Sequence, residues 1–324
     1  MIRLSIIIPF YNVEKYIAEC LDSVYNQDIS EEEYEVICVN DASPDNSREI
    51  VLEYQKKHSN LTLVEHEVNK KLGAARNTGR KIARGKYIWN VDSDDMIVPN
   101  CLGHLLSICE RNCLDFLIFD RLYNDGGILE YDNKDWQDIR GSYSGFEIWK
   151  SAKNNLIFPA WNKIFRKGFL DDNNIYSPEI NMGEDVPYSV EAIIMAKTTC
   201  YTTAKYYVVR ENGNSLTRTM RKKPTPKTVY ENSFVCGKKI NDVVKKIPSN
   251  EKDIRKAVRN IEKHVLLTSS TFFEDMTKTD VREFRKLCRK NFCSNLFVMK
   301  VLGRKKFIRY CLFVIGCVDN FLVR

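Results

Sequence analysis

The first part of the chain alternates short apolar runs with amphipathic segments, and this alternation limits the fold more than any other feature. The apolar runs are Leu4–Pro9, Tyr34–Asn40, Leu61–His66 and Tyr87–Val91, and they are rich in β-branched and aromatic residues. Such runs are typical of strands in a parallel sheet that is buried on both faces. The segments between them have helical spacing. The order β-α-β-α-β-α-β therefore predicts an α/β fold with a mainly parallel sheet covered by helices.

Local capping signals predict where the first helices begin. Asn12 is expected to cap a helix at Val13–Tyr25, and the pair Ser43 and Pro44 is expected to begin a helix at Asp45–His58. The remaining elements predicted in the first 220 residues are a helix that contains glycines, three strands and a hairpin: Gly73–Ala83, Asp115–Asp120, Trp161–Arg166, Ala204–Arg210 and Tyr123–Tyr131.

Charge divides the chain into two parts. The 324 residues have a formal net charge of +7, yet residues 221–324 carry 25 Lys and Arg against 10 Asp and Glu, a net charge of +15. Residues 1–220 therefore carry a net charge of −8. This asymmetry predicts one large domain at 1–220 and a separate basic region at 221–324. Helical periodicity predicts three helices in the basic region, at Thr228–Ile247, Asp253–Ser270 and Val281–Lys290.

The end of the basic region combines positive charge with an apolar run of nine residues, Tyr310–Val318. The run is too short to span a bilayer but long enough to lie in the interface of one leaflet. Basic residues before it would attract anionic lipid: Lys290, Lys300, Arg304, Lys305, Lys306 and Arg309. A helix packed on its own domain or on a dimer partner explains the pattern equally well. No nucleic-acid partner is expected, because no recognised binding fold accompanies the charge.

Cysteine and histidine spacing excludes several kinds of site. The eleven cysteines include no C-x-x-C pair, and Cys38 and Cys200 lie within apolar runs. This usage predicts buried, reduced thiols in a cytosolic protein. The four histidines lack ligand spacing, so no zinc site is expected. Neither a signal-peptide pattern nor an apolar run of about 18 residues occurs, so no spanning helix is expected.

Three carboxylates, Asp92, Asp94 and Asp95, follow the fourth predicted strand within four residues. Like charges this close repel one another and favour a bound cation. In an α/β sheet the carboxyl ends of the strands face the ligand crevice, where Mg²⁺ or Mn²⁺ would bind one or two carboxylates together with phosphate oxygens of a substrate. An acidic surface turn held by local hydrogen bonds is the alternative, and it is the more common reading for such a motif in isolation.

Six motifs resemble those of the family 2 glycosyltransferases in order and spacing, and the resemblance covers residues 1–220. They are SIIIPFYN at 5–12, VNDASPDNS at 39–47, NKKLGAARNTG at 69–79, GKYIWNVDSDD at 85–95, WNKIFR at 161–166 and GED at 183–185. The resemblance implies an α/β fold of the GT-A type, in which a Rossmann-like, mixed but mainly parallel sheet is flanked by helices. Here a basic α-helical C-terminal extension would follow it. It also implies an inverting enzyme that uses a nucleotide-sugar donor.

The resemblance implies donor-binding roles for residues in the first three motifs. Tyr11 would lie against the uracil ring, and Asp41 would accept a hydrogen bond from the uracil imide or from a ribose hydroxyl. Pro9 would fix the exit of the first strand. Arg76 and Asn77 would lie near the diphosphate. Taken singly, Tyr11 is more often a packing residue, Asp41 an ordinary turn former and Arg76 part of a solvated helix face.

For the acidic cluster, the resemblance implies that Asp94 binds Mn²⁺ or Mg²⁺ directly. Asp92 would bind the ribose or the metal, and Asp95 would support the cluster or the acceptor side. Inversion requires a base on the face of the sugar opposite the leaving group. Asp185 matches the aspartate that has this role in the family, and it also looks like an acid at a helix N-terminus. Glu184 would help to orient the acceptor.

Two further assignments come from the later motifs. Trp161 resembles the tryptophan of the W-N-K segment in capsule and lipopolysaccharide transferases. It is interpreted as a platform for a sugar ring, with a core tryptophan as the alternative. Arg210, with Asn214, Ser215 and Thr217, would form a loop that closes over the diphosphate.

Together these features predict an inverting transferase that moves a sugar from a UDP-linked donor to a hydroxyl of a glycan or lipid-linked acceptor during capsule, exopolysaccharide or lipopolysaccharide synthesis. The expected location is the cytoplasm, with peripheral attachment to the inner face of the membrane. A sugar-nucleotide pyrophosphorylase would share the sheet and the metal. It would need a glycine-rich basic loop after the first strand, where this chain has Tyr11, Asn12 and Val13. A non-catalytic, membrane-bound scaffold with the same fold is the other alternative.

Overall fold

A computed structural model describes residues 1–124, 142–151, 158–180, 183–211, 225–273 and 277–290. Eight strands in these ranges form one mixed sheet with the order β3-β2-β1-β4-β7-β6-β8-β5. The strands are β1 Leu4–Phe10, β2 Tyr34–Asn40, β3 Leu61–Glu65, β4 Tyr87–Asn90, β5 Met96–Ile97, β6 Phe116–Asn124, β7 Lys163–Arg166 and β8 Thr199–Arg210.

Helices separate most of these strands. In the described part of the chain they are α1 Ile17–Tyr25, α2 Ser47–Lys57, α3 Leu72–Ile82, α4 Leu102–Arg111, α5 Gly145–Ser151, α6 Lys167–Asp172, α7 Asp185–Met195, α8 Pro226–Tyr230, α9 Cys236–Lys246, α10 Lys252–Phe273 and α11 Lys278–Lys290. A π-helical turn, Glu231–Val235, joins α8 to α9 without a break.

The half of the sheet built from the first four runs is parallel, as the alternation of strands and helices predicts. β1 pairs with β2 and with β4, and β2 pairs with β3, all in parallel register. The other half is mixed, because β7 runs antiparallel to both β4 and β6. The carboxyl ends of β1, β2 and β4 therefore lie at one edge of the sheet.

Alternate residues of the central strand pack on opposite faces of the sheet. Ile6 and Ile8 belong to a core that also includes side chains from α1 and α4. Ile7 lies on the other face, in a cluster with Ala75 of α3 and Val39 of β2. This two-residue period explains why the run reads as continuously apolar, since both faces of the strand are covered.

The glycines of α3 are explained by close packing. A Cβ atom on Gly79 would overlap the Cγ2 of Ile7, and one on Gly73 would overlap the carbonyl oxygen of Pro178. Gly73 and Gly79 therefore let the helix lie closer to β1 and to the 178 segment than alanine would allow. The structure confirms a helix in this segment.

The first two helices begin later than the capping signals predict. Asn12 has a positive φ of 57°, and its backbone N–H donates to Ser43 Oγ at 2.7 Å. Asp45 accepts from the hydroxyls of Ser43 and Ser47, both at 2.6 Å, and from the backbone N–H of Glu14 at 2.8 Å. These polar groups tie the loop after β1 to the loop after β2 instead of capping helices. The predictions that Asn12 and Ser43 cap helices were therefore wrong.

Other boundaries also differ from the predictions. β7 begins at Lys163 rather than Trp161, and β8 begins at Thr199, five residues before the predicted start. Neither β5, which has only two residues, nor α4 was predicted. Tyr123 and Asn124 belong to β6. The rest of the predicted hairpin, from Asp125 to Tyr131, lies outside the described residues.

Contacts between Cα atoms divide the chain into two compact units. The first is Met1–Glu179 with Met195–Asn212, and the second is Ile180–Ile194 with Gly213–Arg324. Within the second unit the buried Glu191 pairs with Lys239 at 2.8 Å and with Lys246 at 2.6 Å, which ties α7 to α9. The three helical predictions for the basic region agree with the helices from α8 to α11. The domain boundary at residue 220 stays a prediction.

Two predictions about the chain's environment are only partly covered by the described residues. Within them, no helix is both long enough and apolar enough to cross a membrane. The described cysteines are all free thiols, and each of them except Cys113 is buried. The apolar run Tyr310–Val318 and the basic residues from Lys300 onward lie outside the described part of the chain.

Candidate active site

The loops after β1 and β2 lie side by side at the carboxyl edge of the sheet. The backbone N–H of Asp41 donates to the carbonyl oxygen of Phe10 at 3.0 Å, which brings Asp41 close to Tyr11 in space. Tyr11 is 47% exposed, so its ring is available to stack on a ligand. Pairing of β1 with β4 ends at Ile7, and Pro9 lies two residues beyond it. Since proline has no backbone N–H, its place here costs no hydrogen bond to β4.

Asp41 is buried and accepts several hydrogen bonds. Its Oδ1 accepts from the backbone N–H of Lys70 at 2.8 Å, and its Oδ2 accepts from that of Lys71 at 2.7 Å. The Nδ1 of His66 lies 2.7 Å from Oδ1, and the Nε2 of His66 lies 2.9 Å from Thr78 Oγ1. Asp41 therefore holds the segment that leads into α3. Its proposed contact with a nucleobase would add to these bonds.

α3 brings a buried guanidinium to the acidic cluster. Arg76 is 3% exposed, and its Nη2 donates to Asp92 Oδ1 at 2.8 Å. The carboxylate of Asp92 is partly exposed, so this side of the pair is accessible to a ligand. Asn77 holds a neighbouring segment, and its predicted place near the diphosphate stays a prediction. Its amide donates to the carbonyl of Ser177 at 2.9 Å and accepts from that residue's N–H at 3.1 Å.

Asp95 is buried beneath the acidic cluster. It accepts hydrogen bonds from the Tyr207 hydroxyl at 2.9 Å and from the backbone N–H of Arg210 at 2.8 Å. The Tyr207 oxygen also accepts from the backbone N–H of Asp92 at 3.0 Å. Burial, followed by the charges of Asp94 and Asp92, raises the pKa of Asp95 to about 8. This carboxyl group therefore supports the loop from inside.

Trp161 stacks on Tyr207, with ring centroids 4.5 Å apart and planes at 12°. Its carbonyl oxygen accepts from the indole N–H of Trp89 at 2.6 Å, which connects it to β4. The guanidinium carbon of Arg121 lies 5.8 Å from the Trp161 ring. Trp161 is only partly buried. It therefore packs on Tyr207 and keeps part of its surface exposed, and its role as a platform for a sugar ring stays a prediction.

The acidic cluster fits a divalent cation that is completed by a substrate. Among the residues that the structure describes, no group of three His, Cys, Asp or Glu side chains could enclose a metal ion by itself. Mg²⁺ and Mn²⁺ usually bind one or two carboxylates and take further oxygens from phosphates and water. Asp92 and Asp94 could supply the carboxylate oxygens, and a phosphate bound near Arg76 could supply the others. The cluster therefore fits an open metal site better than a closed one.

Asp185 and Glu184 belong to the second compact unit. Asp185 is the first residue of α7, as its predicted position at a helix N-terminus requires, and Pro187 follows in the first turn, where no intrahelical N–H is needed. Glu184 is 4% exposed. The roles of Asp185 as base and of Glu184 in orienting the acceptor stay predictions.

Two residues of this edge were missed by sequence reasoning. His66 directly follows β3, just as Asp41 follows β2, so its place at the carboxyl end of a strand was the available signal. Tyr207 lies in an apolar run, and a buried tyrosine usually finds a partner for its hydroxyl. No local pattern indicates that the partner is Asp95, which is 112 residues away in the sequence.

These features define a class of protein: a mixed α/β sheet whose carboxyl edge, where open α/β sheets bind their ligands, carries an acidic cluster, a buried arginine and an exposed aromatic ring. The sequence model described as "Glycosyl transferase family 2" matches residues 5–172. The chain belongs to this family.

Two curated relatives come from Bacillus. The chain is 30% identical over 286 residues to the "uncharacterized glycosyltransferase EpsJ" of Bacillus subtilis, an alignment that covers 79% of this chain and 82% of the relative. It is 33% identical over 221 residues to a poly(ribitol-phosphate) β-glucosyltransferase of Bacillus spizizenii, covering 66% of this chain and 33% of that protein. This chain thus spans about a third of the second relative.

Solved structures confirm the GT-A fold. Residues 1–349 of TarS from Staphylococcus aureus, in complex with UDP-GlcNAc, match with a TM-score of 0.69 and 21% identity, over 99% of this chain and 90% of that one. The mannosyltransferase PcManGT from Pyrobaculum calidifontis, in complex with GDP-Man and Mn²⁺, matches with a TM-score of 0.55 and 16% identity, over 97% and 87% of the two chains. At these identities the likeness concerns the fold alone.

Proposed function

We propose that this protein is an inverting glycosyltransferase that moves a sugar from a nucleotide-sugar donor to a hydroxyl of a glycan or lipid-linked acceptor. The observation that carries the proposal is the Arg76–Asp92 pair beside Asp94, at the carboxyl edge of a family 2 sheet. A buried guanidinium next to carboxylates suits a metal-bound diphosphate, because it contributes positive charge at a fixed position.

The donor is proposed to be linked to UDP. Tyr11 would stack on the uracil ring, Asp41 would accept from the base or the ribose, and Pro9 would hold the strand end between them. Arg76 would donate to the diphosphate, and Asp92 would bind the ribose or the metal. The support comes from the exposed ring of Tyr11, from the fixed position of Asp41 and from TarS, which has been solved with UDP-GlcNAc.

Asp94 is the proposed ligand of Mn²⁺ or Mg²⁺, a cation that would act as a Lewis acid and neutralise charge on the leaving diphosphate. Asp95, held by Tyr207 and Arg210, would fix the loop that carries Asp94. PcManGT, a protein of the same fold, has been solved with Mn²⁺ and a nucleotide sugar. The role of Asp95 is thus support from within the cluster.

Asp185 is the proposed general base. It would take the proton from the acceptor hydroxyl while that oxygen forms a bond to the anomeric carbon of the donor sugar. The bond between the anomeric carbon and the diphosphate oxygen breaks on the opposite face, so the configuration inverts. Glu184 would orient the acceptor, and Trp161 would support its sugar ring. The position of Asp185 as the first residue of α7 supports this role, because the helix holds the residue at a defined place.

The acceptor is proposed to belong to a cell-surface polymer, such as a capsule, an exopolysaccharide or a lipopolysaccharide. The Bacillus spizizenii relative is named for transfer to poly(ribitol-phosphate), which is a polymer of this kind. We further propose that the protein works in the cytoplasm, held at the inner face of the membrane through its basic C-terminal region. A lipid-linked acceptor would be found at that surface.

Calorimetric titration with UDP, with and without Mn²⁺, tests the donor and metal assignments. Wild-type protein is expected to bind UDP more tightly with Mn²⁺, and Asp94→Ala to lose that increase. Asp185→Ala is expected to bind UDP as the wild type does and to lose sugar transfer from a screened set of UDP-sugars. Equal metal-dependent affinity in the wild type and Asp94→Ala would contradict the metal assignment.

UDP titration and an assay with pyrophosphate separate the rival functions. A non-catalytic scaffold predicts no metal-dependent binding of UDP. A sugar-nucleotide pyrophosphorylase predicts that pyrophosphate and a UDP-sugar are converted to UTP and a sugar phosphate. The pyrophosphorylase outcome is not expected, because the loop after β1 has no glycine and no basic residue among Tyr11, Asn12 and Val13.

A further inference from the structure

The pairing of β6 with β8 contains two register shifts. They determine which residue of β8 lies opposite Arg121. Ile118 pairs with Tyr201, Asp120 with Lys205, and Arg121 with Tyr207. From the pair Asp120–Lys205 to the pair Arg121–Tyr207, β6 advances by one residue and β8 by two. Without this shift Arg121 would lie opposite Tyr206 instead of Tyr207. Bulges of this kind often turn a side chain toward a functional site.

Because of the shift, Tyr207 is the residue of β8 that lies opposite Arg121, and the two share a face of the sheet. Directly opposed residues of paired strands share a face, and so do residues two apart on one strand, such as Arg121 and Tyr123. The guanidinium carbon of Arg121 lies 5.1 Å from the centre of the Tyr123 ring and 5.8 Å from that of Trp161. Its Nε donates to the Tyr123 hydroxyl at 2.7 Å.

These side chains form an exposed surface, which we call the β6 rim and define as Asp120, Arg121, Tyr123 and Trp161. The Tyr123 ring is 65% exposed, although it is large and apolar. The side chains of Asp120 and Arg121 keep 34% and 24% of their surface, and their closest charged atoms are 3.6 Å apart, too far for a hydrogen bond. The rim thus offers a fixed guanidinium, a carboxylate and two aromatic rings.

The β6 rim is joined to the acidic cluster by direct contacts. Trp161 stacks on Tyr207 at 4.5 Å, and the Tyr207 hydroxyl donates to Asp95 at 2.9 Å. A ligand on the rim would therefore lie next to the carboxylates proposed to hold the metal and the donor. This proximity suits the second substrate of a transfer reaction better than an unrelated ligand.

We propose that the β6 rim is an acceptor subsite for a neutral pyranose ring, an inference that rests on the function proposed above. Tyr123 and Trp161 would contact the apolar C–H faces of the ring. Asp120 would accept hydrogen bonds from ring hydroxyls, and Arg121 would donate to them. A neutral sugar is preferred to an anionic group because the carboxylate of Asp120, 3.6 Å from the guanidinium of Arg121, offsets the positive charge of the rim.

The test uses the full-length protein with UDP and Mn²⁺ and measures sugar binding by saturation-transfer-difference NMR. The probes are cellobiose and diacetylchitobiose as neutral sugars and ribitol 5-phosphate as an anionic one. Tyr123→Ala is expected to weaken binding of the neutral sugars at least about threefold, because one stacking contact is lost. Tyr123→Phe, which keeps the ring, is expected to retain most of it.

Tyr143→Ala is the matched control, because Tyr143 is also an exposed tyrosine in the first compact unit, at 53%, and bridges to the other end of β8. It is expected to bind the sugars as the wild type does. The inference is overturned if neutral sugars fail to bind the wild type, if Tyr123→Ala binds them unchanged, or if only ribitol 5-phosphate binds. UDP affinity is measured in parallel. If the wild type fails to bind UDP, the proposed donor is refuted. If Tyr123→Ala binds UDP normally but binds the neutral sugars weakly, the loss is specific to the sugar subsite.

Discussion

Lys71 adopts a backbone conformation that residues other than glycine rarely adopt. Its φ is 80° and its ψ is 161° at the residue before α3. Such a conformation costs on the order of 1–3 kcal/mol, so the surroundings must hold it in place. Its N–H donates to Asp41 at 2.7 Å, and Asp41 is itself bound by His66. The buried carboxylate therefore stabilises the strained entry into the helix that carries Arg76.

Replacement of Lys71 by glycine should relieve this strain. Both Lys71→Gly and Lys71→Ala remove the side chain, but only glycine adopts a φ of 80° without a steric penalty. Part of the gain is offset by the greater entropy of glycine in the unfolded chain. We expect Lys71→Gly to be about 1 kcal/mol more stable than Lys71→Ala in urea unfolding. Equal stabilities would mean that the backbone at this position is not strained.

Asp95 is unusual among the carboxylates because its pKa is raised to about 8, chiefly by burial. In the unfolded chain the group ionises near pH 4, so between about pH 4 and 8 the folded state holds a proton that the unfolded state has lost. The contribution of this group to stability is complete below pH 4 and decreases as the pH rises. Ionisation of the buried Asp95 therefore lowers the stability of the folded state. A cation bound nearby would reduce this effect.

Asp95→Asn should remove this pH dependence, because the amide mimics the protonated acid. Asparagine can still accept from the Arg210 N–H that now donates to Asp95. In metal-free buffer we expect the stability of Asp95→Asn relative to the wild type to rise by roughly 1 kcal/mol per pH unit between about pH 4 and 8. Urea unfolding at pH 5 and pH 8 measures the difference. A constant difference across this range would contradict the raised pKa.

At the scale of the elements, α3 connects the two parts of the donor edge. Its first residues follow the segment held by Asp41, and Arg76 reaches Asp92 at 2.8 Å from the middle of the helix. Further along, Arg80 pairs with Asp171 at 2.6 Å, so the helix is fixed at several points. Gly79 sets its distance from β1, since a side chain there would meet Ile7. A shift of α3 would therefore move the guanidinium.

Gly79→Ala is expected to lower the free energy of unfolding by about 1–3 kcal/mol, although alanine favours helices, because the added methyl group overlaps Ile7. The same substitution should weaken UDP binding with Mn²⁺ through displacement of Arg76. Gly168→Ala is the control, because a Cβ atom there lies near only one described group, the flexible end of Arg166, at 3.2 Å. Its effect on stability should be small. Similar losses in both variants would show that close packing of α3 on β1 is not the cause.

At the scale of the whole molecule, charge separates the chain into an acidic part and a basic part. Residues 221–324 carry +15 and residues 1–220 carry −8. Among the described residues, α10 and α11 carry many of these charges, and Phe284 and Cys288 form the buried side of α11. An acidic part suits a site that binds a cation with its substrate, whereas a basic part suits an anionic surface.

Removal of residues 301–324 should reduce binding to anionic vesicles, because it deletes the apolar run and four of the basic residues before it. Co-sedimentation with phosphatidylglycerol vesicles measures the effect, and phosphatidylcholine vesicles serve as the uncharged control. The truncated protein should keep the UDP affinity of the full chain. Unchanged sedimentation with anionic vesicles would favour the alternative, in which this segment packs on protein.

The sequence by itself determined the alternation of strands and helices, the parallel half of the sheet and the edge where polar residues gather. These features are local: a buried strand has a two-residue period, a helix has its own spacing, and polar residues that follow parallel strands share one edge. Asp41 and Asp92, which follow β2 and β4, could therefore be placed at this edge in advance, whereas Arg76 was selected by the resemblance to the family 2 glycosyltransferases. Capping signals failed at Asn12 and Ser43 because their polar groups bind another loop.

Only the tertiary structure decided which side chains support that edge. Tyr207 meets Asp95 across 112 residues, and His66 meets Asp41 across 25. Arg121 lies opposite Tyr207 only because the register of β6 and β8 shifts beside it. Strand order, register and bulges depend on the packing of the whole sheet, and a local sequence pattern carries no information about a partner that packing brings from far along the chain.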